Sequence, residues 1–294
     1  MMKLDSLRGI WAAVVTPVTA HFEPDAAKAI DYYAELLGTG CDGINLLGTT
    51  GEAMSFGRDA RLRFMEAIAR GCLPLERVMA GTGAASLDDA VALTNAALDL
   101  GFAAALVMPP FFFRDAGDDG VARYFDALVS RLTSDRAPLL LYNFPQMSGI
   151  TFSAPLVDRL LEAFPSRIGG LKDSSNDRAL QAELLRRHPA LRVFPGSEAY
   201  LRDALAAGAA GSISGSVALW PALAQAVYRQ GDEADANALA RHRATLDGLP
   251  FNAAVRYAIA RERADSAWER AMPPLTPLSP EQCRVLDERL AAER

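Results

Sequence analysis

The chain has 294 residues, 50% of them hydrophobic and 22% charged, with a formal net charge of -6. That is enough apolar material for one large α/β barrel or for two smaller domains. The acidic balance, without a long basic run or interleaved basic and aromatic residues, speaks against a nucleic-acid surface, and no apolar stretch is long enough to cross a bilayer. Small molecules are the expected partners, with no nucleic acid and no membrane.

The first eight residues, Met-Met-Lys-Leu-Asp-Ser-Leu-Arg, lack the apolar core of a signal peptide. Cys41, Cys72 and Cys283 lie far apart, an odd number without metal-ligand spacing, which fits a reduced, cytoplasmic setting. Short apolar runs recur at 11–18, 43–48, 77–83, 104–110, 138–145, 168–175, 192–198 and 211–217. Most are continuous, without polar alternation, as expected of parallel strands covered on both faces. Between them lie segments with apolar residues at helical spacing, including 26–40, 58–71, 86–100 and 117–132. Ser86 and Asp89 read as an N-cap pair, and Gly40, Gly71 and Gly101 stand where helices could end in left-handed caps. From about Leu219 the chain reads as helical, with stretches 231–246 and 251–268 and a proline-rich connector at 273–280. Its last helix opens on Ser279-Pro280-Glu281-Gln282, with serine as cap, proline in the first turn and glutamine three residues after the cap.

Eight strand–helix alternations predict a TIM (β/α)8 barrel over residues 1–218. Residues 219–294 are expected to add C-terminal helices, packed on the barrel's outside or forming an oligomer surface. The alternative is a doubly wound open sheet, which usually carries a glycine-rich dinucleotide loop after its first strand. Here that strand closes on Thr16-Pro17-Val18, with no such loop.

Barrel enzymes carry their chemistry on the C-terminal ends of the strands. The chain has 30 basic residues, of which only Lys3, Lys28 and Lys172 are lysines. Lys172 stands inside the apolar run Ile168-Gly-Gly-Leu-Lys-Asp-Ser-Ser175. Unlike arginine, a lysine can lose its proton and act as an amine nucleophile, and burial of an ammonium works in that direction. Lys172 is therefore the candidate nucleophile of a Schiff-base enzyme; the competing role is a fixed charge for a carboxylate or phosphate. Gly169 and Gly170 would allow close approach of a substrate or of a neighbouring backbone. Gly48-Thr49-Thr50-Gly51-Glu52 sets amides and hydroxyls where a turn leaves strand 2, a nest for a carboxylate or an ordinary βα turn. Tyr142 ends strand 5, either as a proton carrier or as packing with a satisfied hydroxyl. His21, His188 and His242 close no strand, so neither metal nor other cofactor is expected.

Taken together, Gly48-Thr49-Thr50-Gly51-Glu52, Tyr142-Asn143-Phe144-Pro145 and Gly170-Leu171-Lys172-Asp173-Ser174 resemble the dihydrodipicolinate synthase / N-acetylneuraminate lyase family of class I pyruvate aldolases. Ala13-Val14-Val15-Thr16-Pro17 and Gly208-Ala209-Ala210-Gly211-Ser212-Ile213-Ser214 extend the likeness across nearly the whole barrel. The resemblance implies an imine between Lys172 and pyruvate or another 2-oxo acid, with the Thr49–Thr50 turn binding its carboxylate. It implies Tyr142, hydrogen-bonded to Thr50, as proton shuttle. Gly196 and Ile213 would line the pyruvate pocket, and Glu198 and Ser214 would lie farther out, near the distal part of the substrate. A homotetramer built as a dimer of dimers is implied as well.

Two departures bear on the second substrate. The family's lysine-pathway synthases carry an arginine for the carboxylate of aspartate semialdehyde where this chain has Met147. They also carry a cross-subunit tyrosine where it has Phe111-Phe112-Phe113. A thioether cannot replace a guanidinium fork, and phenylalanine carries no proton. The favoured substrate is thus a 2-oxo-3-deoxy sugar acid or related 2-oxo acid, cleaved, formed or dehydrated. The alternatives are a synthase with a non-standard second-substrate site, a non-catalytic small-molecule binder on an aldolase scaffold, and a phosphate-ester enzyme using Gly211-Ser212-Ile213-Ser214-Gly215-Ser216.

Overall fold

Every residue of the strands except Arg192 is buried, so side-chain alternation divides two apolar clusters rather than core from solvent. The computed structural model describes residues 7–293. Its strands are β1 (Gly9–Ala13), β2 (Gly43–Leu46), β3 (Val78–Gly81), β4 (Ala104–Val107), β5 (Leu139–Asn143), β6 (Ile168–Asp173), β7 (Arg192–Pro195) and β8 (Gly211–Ser214). They run parallel in the order β7-β6-β5-β4-β3-β2-β1-β8. At the remaining seam, the Ala210 amide donates to the Val193 carbonyl at 2.9 Å and the Ser212 hydroxyl to the Pro195 carbonyl at 3.0 Å. The expected TIM barrel is the observed one.

Trp11, Ala13, Met79, Leu106, Leu140, Tyr142, Phe194 and Ile213 share the cluster inside the barrel. Ile10, Ala12, Ile44, Leu46, Val107, Leu141, Leu171 and Val193 belong to the cluster between strands and helices. Filling both faces is what removes polar alternation from the strands.

The outer ring is formed by α1 (Ala26–Thr39), α2 (Arg58–Arg70), α3 (Leu87–Asp99), α4 (Gly117–Val129), α6 (Ala154–Ala163), α7 (Arg178–Arg187) and α8 (Leu201–Ala206), with a one-turn helix α5 (Pro145–Ser148) after β5. Ser86 caps α3 by accepting from the Asp89 amide, as its spacing predicts. Gly40 and Gly101 have positive φ. Gly71 does not: at φ -72 it is extended, and smallness is what it contributes, since a β-carbon there would lie 2.7 Å from Ile30.

Beyond β8, α9 (Pro221–Gln230) packs on β1, α1 and α8 and takes the eighth place in the ring. The helices α10 (Glu233–Ala244), α11 (Phe251–Arg263) and α12 (Pro280–Ala292) follow. The expected 251–268 stretch is two pieces, because Ala264 turns left-handed and Asp265 caps a separate 3-10 turn, Ser266–Glu269. Ser279 and Gln282 form the full capping box of α12. Among the described residues no helix is long and apolar enough to cross a membrane.

Candidate active site

The register of β5 against β6 sets Tyr142 beside Lys172 and Asn143 beside Asp173. Tyr142 lies with the cluster inside the barrel, and the Lys172 side chain lies across it. Asn143 and Asp173 make the second pair, where the Asn143 amide donates to Asp173 at 2.6 Å. Asp173, fully buried, also accepts from the Gln181 amide at 2.5 Å and the Ser175 hydroxyl at 3.0 Å. Asn143 in turn accepts from the Phe152 amide at 3.0 Å. This clasp holds the register that brings the tyrosine to the lysine. The sequence carried a signal for it: a carboxylate next to a lysine in an apolar strand is a second buried charge that requires partners.

Lys172 and Tyr142 are each 4% exposed. The Lys172 Nζ donates to the Tyr142 hydroxyl at 3.2 Å and lies 4.3 Å from that ring's centroid. The Tyr142 hydroxyl is 3.1 Å from the hydroxyl of Thr49. The expected partner was Thr50; the neighbour in sequence takes its place. Successive turn residues point apart, and the Thr50 hydroxyl lies instead over the end of β8, 2.7 Å from where a β-carbon on Gly215 would stand.

The turn that carries both threonines is bracketed by left-handed residues, Leu47 (φ 53) and Glu52 (φ 55). Non-glycine residues there cost roughly 1–3 kcal/mol each and persist only where the surroundings hold them. The holding groups are visible. The Thr16 hydroxyl donates to the Gly51 carbonyl at 2.8 Å, and the Asn252 amide of α11 donates to the Thr49 carbonyl at 3.0 Å. Glu52 pairs with Arg256 of α11 at 2.6 Å, with both side chains at most 1% exposed. The Met272 amide donates to its second oxygen at 2.8 Å, and Arg256 also donates to the Thr16 carbonyl at 2.8 Å. The turn's own hydrogen bonds use the carbonyls of Gly48 and Thr49, and the Thr49 and Thr50 amides are not among their donors. Removing one partner of a buried pair leaves the other charge uncompensated. Arg256→Leu is therefore expected to lower stability by about 3–5 kcal/mol, read by denaturant unfolding, with activity falling alongside.

The other expected site residues divide. Ile213 lies in the cluster inside the barrel. Gly196 has no room for a side chain, since a β-carbon would stand against the Ser174 hydroxyl. Gly170 likewise faces backbone, the Arg192 carbonyl at 2.6 Å from its would-be β-carbon, rather than substrate. Glu198 follows β7 with 1% exposure, and neither carboxylate oxygen has a hydrogen-bond partner. Met147 is exposed on α5, and Phe112 and Phe113 are exposed on the loop after β4, packed edge to face. Ser214 is not brought to the pocket. It registers with Ala12, an outward residue, and its hydroxyl meets that of Ser216 at 3.2 Å. With Ile213 inward, alternation alone foretells this.

His188 bonds Asp158 on the outer helices and His242 lies in α10, so neither approaches the strand ends. Cys41, Cys72 and Cys283 are free thiols, and burial pushes that of Cys41 up to about 12. Among the described residues no group of three or more His, Cys, Asp or Glu is placed to hold a metal ion.

Comparison with known proteins gives the family and the fold. A protein of Chloroflexus aurantiacus called an uncharacterized DapA-like lyase is 39% identical, over 98% of this chain and 96% of its own length. The crystal structure of dihydrodipicolinate synthase from Agrobacterium tumefaciens superposes with a TM-score of 0.91 at 30% identity, covering 97% of this chain and 98% of that one. YagE of Escherichia coli, described in complex with pyruvate, superposes with a TM-score of 0.86 at 25% identity over 98% of both chains. The profile of the dihydrodipicolinate synthetase family matches residues 6–292, and the chain belongs to that family of aldolase-lyase enzymes.

Proposed function

We propose that this enzyme forms a Schiff base between Lys172 and pyruvate or a pyruvate-yielding 2-oxo acid, and that its preferred substrate is a 2-oxo-3-deoxy sugar acid or close relative. The observation that carries the reading is the chain of hydrogen bonds Lys172–Tyr142–Thr49 at the buried strand ends. The free amine adds to the C2 ketone, and the resulting carbinolamine loses its hydroxyl as water, protonated by the Tyr142 phenol, to leave an iminium. As the C4 hydroxyl returns a proton to the Tyr142 phenolate, the C3–C4 bond breaks and its electron pair moves into that iminium, giving an enamine and an aldehyde. Protonation at C3 and hydrolysis return pyruvate and the amine. Removal of a C3 proton from the uncleaved iminium would instead give a full-length enamine that expels the C4 hydroxyl as water, a dehydration.

The Thr49 and Thr50 amides and hydroxyls would hold the carboxylate. Glu198 supports a hydroxylated distal part: a buried carboxylate without protein donors gains from substrate hydroxyls and repels a second carboxylate. Met147 supplies no guanidinium for one either. The exposed Phe112–Phe113 pair supports packing against a second copy, within a homo-oligomer that is a tetramer as a dimer of dimers, in the cytoplasm.

A panel of 2-oxo acids assayed for pyruvate release tests the substrate class. Cleavage of a 2-oxo-3-deoxy sugar acid is expected to exceed condensation of pyruvate with aspartate semialdehyde by at least about 100-fold in kcat/KM, the loss expected when a charge-assisted hydrogen-bond pair is absent. A synthase rate equal to the best cleavage rate would overturn the preference while leaving the imine chemistry intact.

A further inference from the structure

Asn45 is polar in a place where its neighbours are not. Its strand partners are Ala13 and Met79, both in the apolar cluster inside the barrel. Two residues earlier, Gly43 faces the same side, with the Trp11 indole 2.3 Å from where its β-carbon would lie. Asn45 therefore also points into the barrel, one step nearer the catalytic mouth. It is fully buried, and neither Nδ2 nor Oδ1 has a hydrogen-bond partner. Its Nδ2 lies 2.8 Å from the position a β-carbon on Gly48 would take, so the amide sits against the first residue of the turn bearing Thr49 and Thr50.

An unsatisfied buried amide is costly, and an isosteric leucine would serve packing better. A lone water would need two to four polar partners, yet Met79 and Ala13 offer none and the Trp11 indole N–H is already given to the Arg8 carbonyl. We infer that Asn45 is a substrate-contacting residue whose Nδ2–H donates to the carboxylate of the 2-oxo acid held by the Gly48–Thr50 turn. This rests on the Lys172 imine reading and adds a specificity residue to it: the amide selects an anion next to the ketone.

The test is the pyruvate concentration that half-saturates borohydride-trapped adduct on Lys172, measured in the native chain, Asn45→Leu, Asn45→Ala and Asn45→Asp. Loss of a hydrogen bond to a charged group is expected to raise that concentration about 10- to 100-fold in the Leu and Ala variants. Asn45→Asp, which sets two carboxylates face to face, is expected to raise it further. Trapping of hydroxyacetone, a ketone without a carboxylate, is expected to stay unchanged throughout. Native trapping with unshifted variants overturns the Asn45 inference alone, as does an Asp variant that binds pyruvate better than Leu or Ala, the order a water-holding amide would give. Should Asn45→Leu not fold, the Ala and Asp variants decide by the same criteria. A native chain that traps no pyruvate overturns the parent reading and this one with it.

Discussion

Replacing Lys172 with alanine is expected to lower kcat/KM by about 10^4-fold or more while leaving the barrel folded. The size follows from the role. A nucleophile that forms the covalent intermediate has no substitute on the strand ends, and removal of such a residue leaves only the rate that binding and oriented dipoles supply. His188 and His242 lie on outer helices, His21 is exposed on the loop between β1 and α1, and the buried carboxylate next in sequence, Asp173, is committed to Asn143, Ser175 and Gln181. The folded state loses little, because the Tyr142 hydroxyl keeps Thr49 as partner. A fixed-charge role for Lys172 predicts a different pattern: Lys172→Arg would keep much of the activity, whereas an imine mechanism loses it as fully as alanine does. Steady-state pyruvate release by the three proteins, with circular dichroism to verify folding, separates the two.

Tyr142→Phe is the second large effect, a fall of about 10^2- to 10^4-fold in kcat, the range typical of a positioned general acid–base. The ring that packs against Phe144 at 5.9 Å is retained, and with it the face over which Lys172 lies. Only the hydroxyl between the amine and Thr49 is removed. Because the carboxylate nest is untouched, KM for the 2-oxo acid is expected to change less than threefold while kcat falls. Imine formation should slow but still reach completion given time. A KM increase as large as the kcat loss would show that the phenol binds substrate rather than moving protons.

The barrel was legible because its strands are apolar on both faces and punctuated by glycine and polar strand ends. Their limits were less so. The first apolar run continues to Val18, yet the strand stops at Ala13: the Val14 amide makes a last bond to the Asn45 carbonyl at 3.1 Å, and Thr16 turns its hydroxyl to the Gly51 carbonyl. Lys172 stood out as a rare lysine in an apolar run, whereas Tyr142, one strand earlier, read equally as proton carrier or packing, and it is the β5–β6 register that sets the two side by side. What was not readable depends on backbone torsion and on distance along the chain. Two adjacent threonines are equivalent in sequence, and the left-handed Leu47 and Glu52 decide which one meets Tyr142. Glu52 and Arg256 stand 204 residues apart, and no local pattern joins them. Their pairing makes α11, which sequence placed in an outer extension, a support of the catalytic turn. Ser214 was placed by likeness where simple alternation from Ile213 would have turned it outward. Asn45 fell inside a strand and so escaped a search confined to strand ends.

The central claim, an imine on Lys172, is tested most directly by borohydride reduction in the presence of pyruvate, followed by peptide mass mapping of the folded enzyme. The account predicts a stable mass increase on the peptide containing Lys172, absent without pyruvate and absent in Lys172→Ala. An unmodified Lys172 peptide at saturating pyruvate, or an adduct on Lys28 instead, would contradict it.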